Sequence, residues 1–249
     1  MRLPLCLLSA LLAASAHAQD LADTCRASSQ WDLTVAPDRL RFDRAQAAPR
    51  RVELHGGRAV TDGVPLRLDT EQSDRLVLFE QDLRALVPKA KAVAREGVRL
   101  ATEAVRAEVA QLQPSAETRR QIDAMLAARS AELGRRIDAT TSTREWQDDV
   151  VQRWIGDASA EILPLLAADL GAQALAAAAG GDLGAAAALH ERASGLATDL
   201  RPRLERRMQA LRPRIEALCP SIRRLHELQQ GIRGANGRAL DLVEIDASR

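Results

Sequence analysis

Apolar residues recur three and four positions apart through the stretch from Thr70 to Leu112, which is the pattern of one stripe along a helix. The stripe begins with Leu76, Phe79, Leu83, Leu86, Ala90 and Val93. A helix of this length would be a rod of roughly 60 Å. Thr70 is the expected N-cap, and Pro88 is expected to kink the rod or to break it after Val87. Such a rod needs further helices packed along its stripe.

The later chain supplies those helices. Ser115 is expected to cap a second helix from Ala116 to about Ala139, and Thr143 a third. The end of the third helix, 163–179, is almost entirely apolar, which predicts burial on several sides or a position at an interface. Gly180 and Gly181 then break the helix.

A fourth helical region follows, from Leu183 to about Ile232. Its three prolines, Pro202, Pro213 and Pro220, indicate that it is not one straight rod.

The N-terminal third of the chain alternates instead with period two. Short alternating runs between residues 31 and 68 are separated by Gly56-Gly57 and by Asp62-Gly63, which predicts an antiparallel meander of about four strands. The tail 239–245 alternates again and is interpreted as a last strand returning to this sheet, with a helix or a frayed end as the alternatives. The predicted fold class is α+β: a small β-meander (31–68), then a bundle of long helices (70–234) with coiled-coil-like stripes.

The first 18 residues have the pattern of a secretory signal peptide. Arg2 precedes an apolar run, and Ala16-His17-Ala18 is a small-x-small cleavage site. A retained membrane helix is the alternative, although the run is short for an anchor. We therefore expect an exported, periplasmic chain that consists of one domain, 19–249, and has no later segment apolar for long enough to span a membrane.

The charge balance and the number of cysteines each restrict the possible functions. Lysine and arginine total 35 against 34 acidic residues, and this balance argues against nucleic-acid binding. Once residues 1–18 are removed, Cys25 and Cys219 are the two cysteines that remain. In an oxidising compartment they are expected to form one disulfide, and a redox-active pair is the weaker alternative because no Cys-x-x-Cys is present.

Several motifs together resemble the YggN-like family of uncharacterised periplasmic proteins. They are Cys25 after the signal peptide, the stretch 33–40, the glycine-rich stretch 56–66, the helix segment 83–88 and Cys219 on a late helix. The resemblance implies a periplasmic location and a one-domain organisation. It carries no catalytic residues over to this chain.

No catalytic or cofactor pattern stands out. His55, His190 and His226 are not spaced as metal ligands, and the sequence has no Gly-x-Ser-x-Gly or phosphate-loop motif. We expect no metal, no cofactor and no enzymatic activity. An enzyme of the cell envelope is kept as a third hypothesis, since paired carboxylates could meet in space.

One helical region is crowded with arginine. The candidate anion-binding residues are Arg201, Arg203, Arg206, Arg207, Arg212 and Arg214, followed by Arg223 and Arg224. Arginine suits phosphate and carboxylate groups, but a solvated helix face partly neutralised by nearby acids is the alternative. The first hypothesis for function is a structural or protein-interaction role in the cell envelope. The second is a binding module for anionic lipid or another anionic envelope ligand.

Overall fold

The computed structural model describes residues 24–146, 148–189, 191, 206 and 209–246. The strands are β1 (Ala27–Ser28), β2 (Asp32–Val35), β3 (Leu40–Asp43), β4 (Arg51–His55), β5 (Arg58–Thr61), β6 (Val64–Pro65) and β7 (Glu244–Ile245). The helices are α1 (Thr70–Gln111), α2 (Ala116–Ala139), α3 (Asp148–Ala179), α4 (Arg212–Glu216) and α5 (Cys219–Gln229), with 3-10 turns at Thr143–Trp146 and Gln209–Leu211. The predicted α+β fold is confirmed, whereas the proposed signal peptide lies outside the described residues.

The chain forms two compact units. The first contains the described residues of Met1–Ala90, Thr140–Gln152 and Pro213–Arg249, and the second those of Lys91–Ala139 and Arg153–Arg212. Helix α1 contributes to both units, with the change at Ala90. The single-domain interpretation of 19–249 stays a prediction.

The meander is an antiparallel sheet in the order β2-β3-β4-β5-β6, so it has five strands where the alternation predicted about four. Leu40 pairs with Leu54, and Phe42 pairs with Val52. These residues are buried, while the positions between them are more exposed. One face of the sheet is therefore apolar and the other is polar.

The apolar face packs on the first part of α1. The core of this unit is formed by Trp31, Leu40, Phe42, Val52, Leu54, Ala59, Leu76, Phe79, Leu83, Leu225, Ile232, Leu240 and Leu242. The rings of Phe42 and Phe79 pack tilted, with their centroids 6.3 Å apart. The predicted stripe thus finds its partner in the sheet.

The hairpin turn at Gly56 and Gly57 is held directly against α1. Both glycines have positive φ, 55° and 76°, as expected for a two-residue hairpin turn. The carboxylate of Glu80, which is buried, accepts hydrogen bonds from the Gly56 and Gly57 amides at 3.2 and 3.0 Å. Ser73 Oγ donates to the Gly57 carbonyl at 3.0 Å. The turn is therefore bonded to the helix as well as packed on it.

One expectation about α1 is wrong, and of the two outcomes expected at Pro88, a kink or a break, the break does not occur. Asp69, and not Thr70, caps the helix, because its Oδ1 accepts from the Gln72 amide at 2.8 Å and Gln72 Oε1 accepts from the Asp69 amide at 3.2 Å. The helix also does not break after Val87 but continues through Pro88 to Gln111. Proline removes one backbone donor there, and the packing on both sides of it outweighs that local loss.

The C-terminal tail forms a strand only at β7, which is shorter than the predicted strand 239–245 and lies against β1 in a separate two-stranded sheet. At its start, Ala239 forms an isolated antiparallel bridge with Arg233. Between Leu240 and β7, side chains of other elements bind the backbone of the tail. Gln229 Oε1 accepts from the Leu242 and Val243 amides at 2.8 and 3.1 Å. Trp31 Nε1 donates to the Asp241 carbonyl at 3.1 Å. The tail therefore returns to the first unit without joining the meander.

The second unit is a seam between three helices: the later part of α1, then α2 and α3. Its core is formed by Val109, Leu112, Ile122, Leu126, Ile162, Leu166 and Leu170. Helix α2 has the predicted bounds, and Ser115 Oγ accepts from the Thr118 amide at 3.2 Å as the expected cap.

The fourth helical region is interrupted, as its prolines indicate. Pro213 lies in the first turn of α4 and Pro220 in the first turn of α5, where a missing amide hydrogen costs least. Pro202 lies outside the described residues.

Candidate functional site

Cys25 and Cys219 form the predicted disulfide, with their Cα atoms 5.1 Å apart. Both residues are buried. The bridge joins the segment before β1 to the first residue of α5. A buried bridge of this kind has the features of a structural disulfide and not of an exposed redox pair.

The structure describes only part of the predicted arginine site. Arg201, Arg203 and Arg207 lie outside the described residues, and Arg206 is exposed. Arg212 and Arg214 both have interaction partners within the chain. On α5, Arg224 pairs with Asp82 of α1 at 2.6 Å. Anion binding by residues 201–214 stays a prediction.

The two histidines that the structure describes, His55 and His226, each contact the backbone. His226 Nδ1 lies 2.8 Å from the Val243 carbonyl and His55 Nδ1 contacts the Asp38 carbonyl, so each ring meets backbone. His190 lies outside the described residues. Within the described part of the chain, no group of three or more histidine, cysteine or acidic residues is placed to hold a metal ion.

The most unusual surface belongs to α3. Ile162, Leu166 and Leu170 are buried in the second unit, Leu165 and Asp169 are half-buried, and the other positions between them are exposed. We define the apolar helix face as Leu163, Ala167, Ala168, Gly171, Ala172, Leu175 and Ala176. Leu163 is 49% exposed and Leu175 is 72% exposed. The face contains no charged or hydrogen-bonding side chain. Its side chains therefore expose apolar surface to water without any hydrogen bond in return.

This exposure corrects two expectations. The run 163–179 is not buried on several sides, because within the described residues only one side of α3 meets the core. The other prediction for this run, a position at an interface, stays a prediction. In addition, Ala160–Ala179 is long and apolar enough to cross a membrane by length and composition, so the expectation that no later segment reaches that length is wrong.

Asp169 ties the opposite side of α3 to the rest of the unit. Its carboxylate accepts from the Ser115 amide and from Thr118 Oγ1, both at 2.9 Å, and from Gln173 Nε2 at 2.7 Å. Burial by itself would raise the pKa of Asp169, but the hydrogen bonds from Ser115, Thr118 and Gln173 outweigh it and the pKa is lowered. The charged form is therefore the bound form, and its contribution to stability is lost as the pH falls through that lowered pKa. This anchor sets which side of α3 faces outward.

The end of α3 turns sharply into a further helical segment, residues 183–189. The Gly181 amide donates to the Ala178 carbonyl and the Asp182 amide to the Ala177 carbonyl, which with φ of 85° at Gly181 is a Schellman motif. Asp182 Oδ1 then caps the next segment by accepting from the Ala185 amide at 2.9 Å. Leu183, which is 72% exposed, extends the apolar surface beyond the turn.

The apolar helix face is therefore an exposed surface whose own side chains carry no catalytic group. The sequence pattern identified the apolar run but could not predict which side of the helix is buried. A helix that is apolar on all sides has no polar positions to mark the exposed side. Asp169 and Gln173 are the two polar residues in this run, and their positions could have indicated which side of α3 faces the rest of the unit.

Comparison with known proteins gives one family. The family model described as a protein of unknown function (DUF2884) matches residues 25–237. No curated protein and no solved structure matches the chain.

Proposed function

We propose that this chain, which belongs to the DUF2884 family of proteins of unknown function, is a non-enzymatic protein of the periplasm that binds another protein through its apolar helix face. The observation that carries the proposal is the exposure of Leu163 and Leu175 on a helix face without charge. Contiguous exposed apolar surface of this kind is typical of interaction sites.

Export to the periplasm and the YggN-like assignment belong to the same proposal. The buried Cys25–Cys219 bridge supports an oxidising compartment, where such bridges persist. The N-terminal sequence pattern, with its apolar run and Ala16-His17-Ala18, supports secretion.

The chemistry of the face favours a protein partner over a lipid bilayer. No lysine or arginine lies between Arg153 and Arg192, although membrane-surface helices use basic residues beside their apolar face. Asp169 is tied to Ser115 and Thr118, so a bilayer would have to accept that carboxylate or break its hydrogen bonds.

The shape of the face indicates the kind of partner. Ala168, Ala172 and Ala176 recur every four residues, and with Gly171 they leave the backbone of α3 close to the surface. Small residues at this spacing let a second helix approach closely, while Leu163 and Leu175 provide larger contacts. The proposed partner is therefore a different protein that presents an apolar helix.

Site-specific photo-crosslinking in cells that export the chain tests this proposal. A photoreactive amino acid at position 163 or 175 is expected to give a discrete adduct with a partner protein. Ala172→Glu is expected to weaken that adduct strongly, since burying an unpaired carboxylate at an interface costs about 2 kcal/mol or more. Ala172 is exposed, so the change leaves the core of the unit intact.

Val64 provides the matched control, because it is 53% exposed and apolar but lies on β6 in the other unit. A photoreactive group there is expected to give no such adduct. Equal crosslinking from positions 64 and 175, an adduct consisting only of two copies of this chain, or no adduct at all would each contradict the proposal.

A further inference from the structure

A cleft on the polar face of the sheet has a charge pattern that the proposed protein-binding role does not explain. It lies in the first unit, where β3 ends and β4 begins, and has a volume of about 510 Å³. Five arginines line it: Arg41, Arg44, Arg50, Arg51 and Arg144. Only two aspartates, Asp43 and Asp62, line it with them. We propose that this cleft binds a phosphate monoester group.

The sheet itself brings these arginines together. Arg41 and Arg51 alternate with the buried residues Leu40, Phe42 and Val52, so they emerge on the face opposite the core. Arg51 is paired in register with Asp43 on the neighbouring strand. Arg144 arrives from the 3-10 turn Thr143–Trp146, where its Nε and terminal nitrogen donate to Asp32 Oδ2 at 3.1 and 3.0 Å.

The two aspartates of the cleft are engaged in hydrogen bonds and ion pairs that hold the cleft together. Asp62 Oδ1 accepts from the Arg50 and Arg51 amides, both at 2.8 Å, and so holds the backbone at the start of β4. Asp43 is shared between two arginines, with Oδ1 2.7 Å from Arg51 Nε and Oδ2 2.9 Å from Arg41 Nε. Asp32, which binds Arg144, and Glu53, which is paired in register with Arg41, add two acids beside the cleft, so five arginines meet four acids.

Arg44 and Arg50 keep side-chain donors available for a ligand. The Arg44 guanidinium is held in place, since its carbon lies 4.1 Å from the Trp31 ring centroid and its Nε donates to the Pro49 carbonyl at 2.8 Å. The Arg41 Nε is buried and lies 2.9 Å from Asp43 Oδ2, so this atom contributes charge to the cleft and not a donor for a ligand. Within the described part of the chain, no hydrogen bond or ion pair of the Arg50 side chain is found. The guanidinium groups outnumber the carboxylates around them, and this remaining positive charge favours an added anion.

The arrangement suits a phosphate monoester better than a carboxylate. A carboxylate is planar, carries one charge and is satisfied by a single arginine fork. A phosphate monoester carries a charge of about −1.5 to −2 at neutral pH and three terminal oxygens that point in different directions. Arginines that approach from two strands, a turn and a 3-10 turn match that geometry. The volume also falls in the range of about 300–1,000 Å³ that is typical of small-ligand sites.

Calorimetric titration of the full exported chain with glycerol phosphate tests the proposal, with acetate as the carboxylate probe. Binding is expected to be detectable for glycerol phosphate, weaker for acetate and reduced by added salt. Arg50→Ala and Arg144→Ala are each expected to weaken it by roughly five- to tenfold, since each removes charge-assisted hydrogen bonds at a partly solvated site.

Arg58→Ala is the matched control. Arg58 is an exposed arginine on β5 of the same sheet, outside the cleft, and its loss removes the same charge. It is expected to leave binding unchanged. Since the Arg50 side chain is exposed, Arg50→Ala is also expected to keep the thermal unfolding midpoint of the unaltered chain.

A second arm separates the two sources of a phosphate monoester. Vesicles of phosphatidylcholine with and without phosphatidic acid present the same group on a lipid. Binding to free glycerol phosphate supports a soluble ligand, and Arg50-dependent binding to the phosphatidic acid vesicles alone supports a lipid headgroup. Failure of both probes, acetate binding as tight as phosphate, or an Arg58→Ala loss equal to that of Arg50→Ala would overturn the proposal. None of these outcomes depends on the apolar helix face.

Discussion

Breaking the Cys25–Cys219 bridge is expected to lower the free energy of unfolding by about 4–5 kcal/mol. The two cysteines are 194 residues apart in the chain. Reduction therefore releases a very long closed loop in the unfolded state and raises its conformational entropy. In the folded state the bridge ties α5 to the segment before β1, so the same change also loosens the β1–β7 pair. Urea unfolding of Cys219→Ala against the unaltered chain measures the effect.

Two controls assign this loss to the bridge rather than to the separate thiols. The double variant Cys25→Ala/Cys219→Ala is expected to be almost as stable as Cys219→Ala, because either change already breaks the bond. A reductant is expected to destabilise the unaltered chain and to leave both variants as they were. An unfolding midpoint of the unaltered chain that does not change when the reductant is added would contradict this expectation.

Gly57→Ala is expected to lower the free energy of unfolding by about 3–4 kcal/mol, combining backbone strain, a steric clash and lost hydrogen bonds. The φ of 76° at Gly57 disfavours any side chain. A Cβ there would lie 2.7 Å from the Ser73 carbonyl oxygen and 2.8 Å from Val77 Cγ2. To relieve this contact the hairpin must move away from α1, which weakens the hydrogen bonds from its amides to the buried Glu80 carboxylate.

Gly63→Ala separates the strain from the clash. Gly63 also has a positive φ, 83°, but a Cβ there would have no atom within 4 Å. Its replacement is expected to cost only about 1 kcal/mol, the conformational term alone. Denaturant titration of both variants gives the comparison. Equal losses would mean that the contact between the hairpin and α1 is less rigid than described.

Local chemistry explains the elements that could be predicted from the sequence. Gly56-Gly57 and Asp62-Gly63 are turn signals with a mechanism, since both residues of each pair adopt positive φ. Ser115 marks the start of α2, and Gly180-Gly181 follows the end of α3, because helix ends need a capping oxygen and a residue that tolerates a left-handed backbone. The two cysteines could be paired because residues 19–249 contain no third cysteine.

Long-range contacts explain what could not be predicted. The tail between Leu240 and Val243 bonds to Gln229 and Trp31, and nothing in its alternating pattern distinguishes side-chain partners from a neighbouring strand. Tertiary packing carries α1 through Pro88 against its local preference.

The candidate sites also depend on long-range contacts. The arginine cleft joins Arg144 to Arg51, which are far apart in the sequence, whereas the sequence pattern drew attention to the neighbouring arginines at 201–214. The apolar run of α3 was visible, but its exposed side depends on the hydrogen bonds of Asp169.

The most direct measurement of the central claim is oxidative side-chain footprinting of the apolar helix face, made both on the purified chain and inside cells that export it. We expect Leu163 and Leu175 to be labelled in the purified chain and protected in cells, while Val64 is labelled equally in both. Protection of Leu175 already in the purified chain would show that the face is covered from within. Equal labelling of Leu175 in both settings would show that no partner covers it.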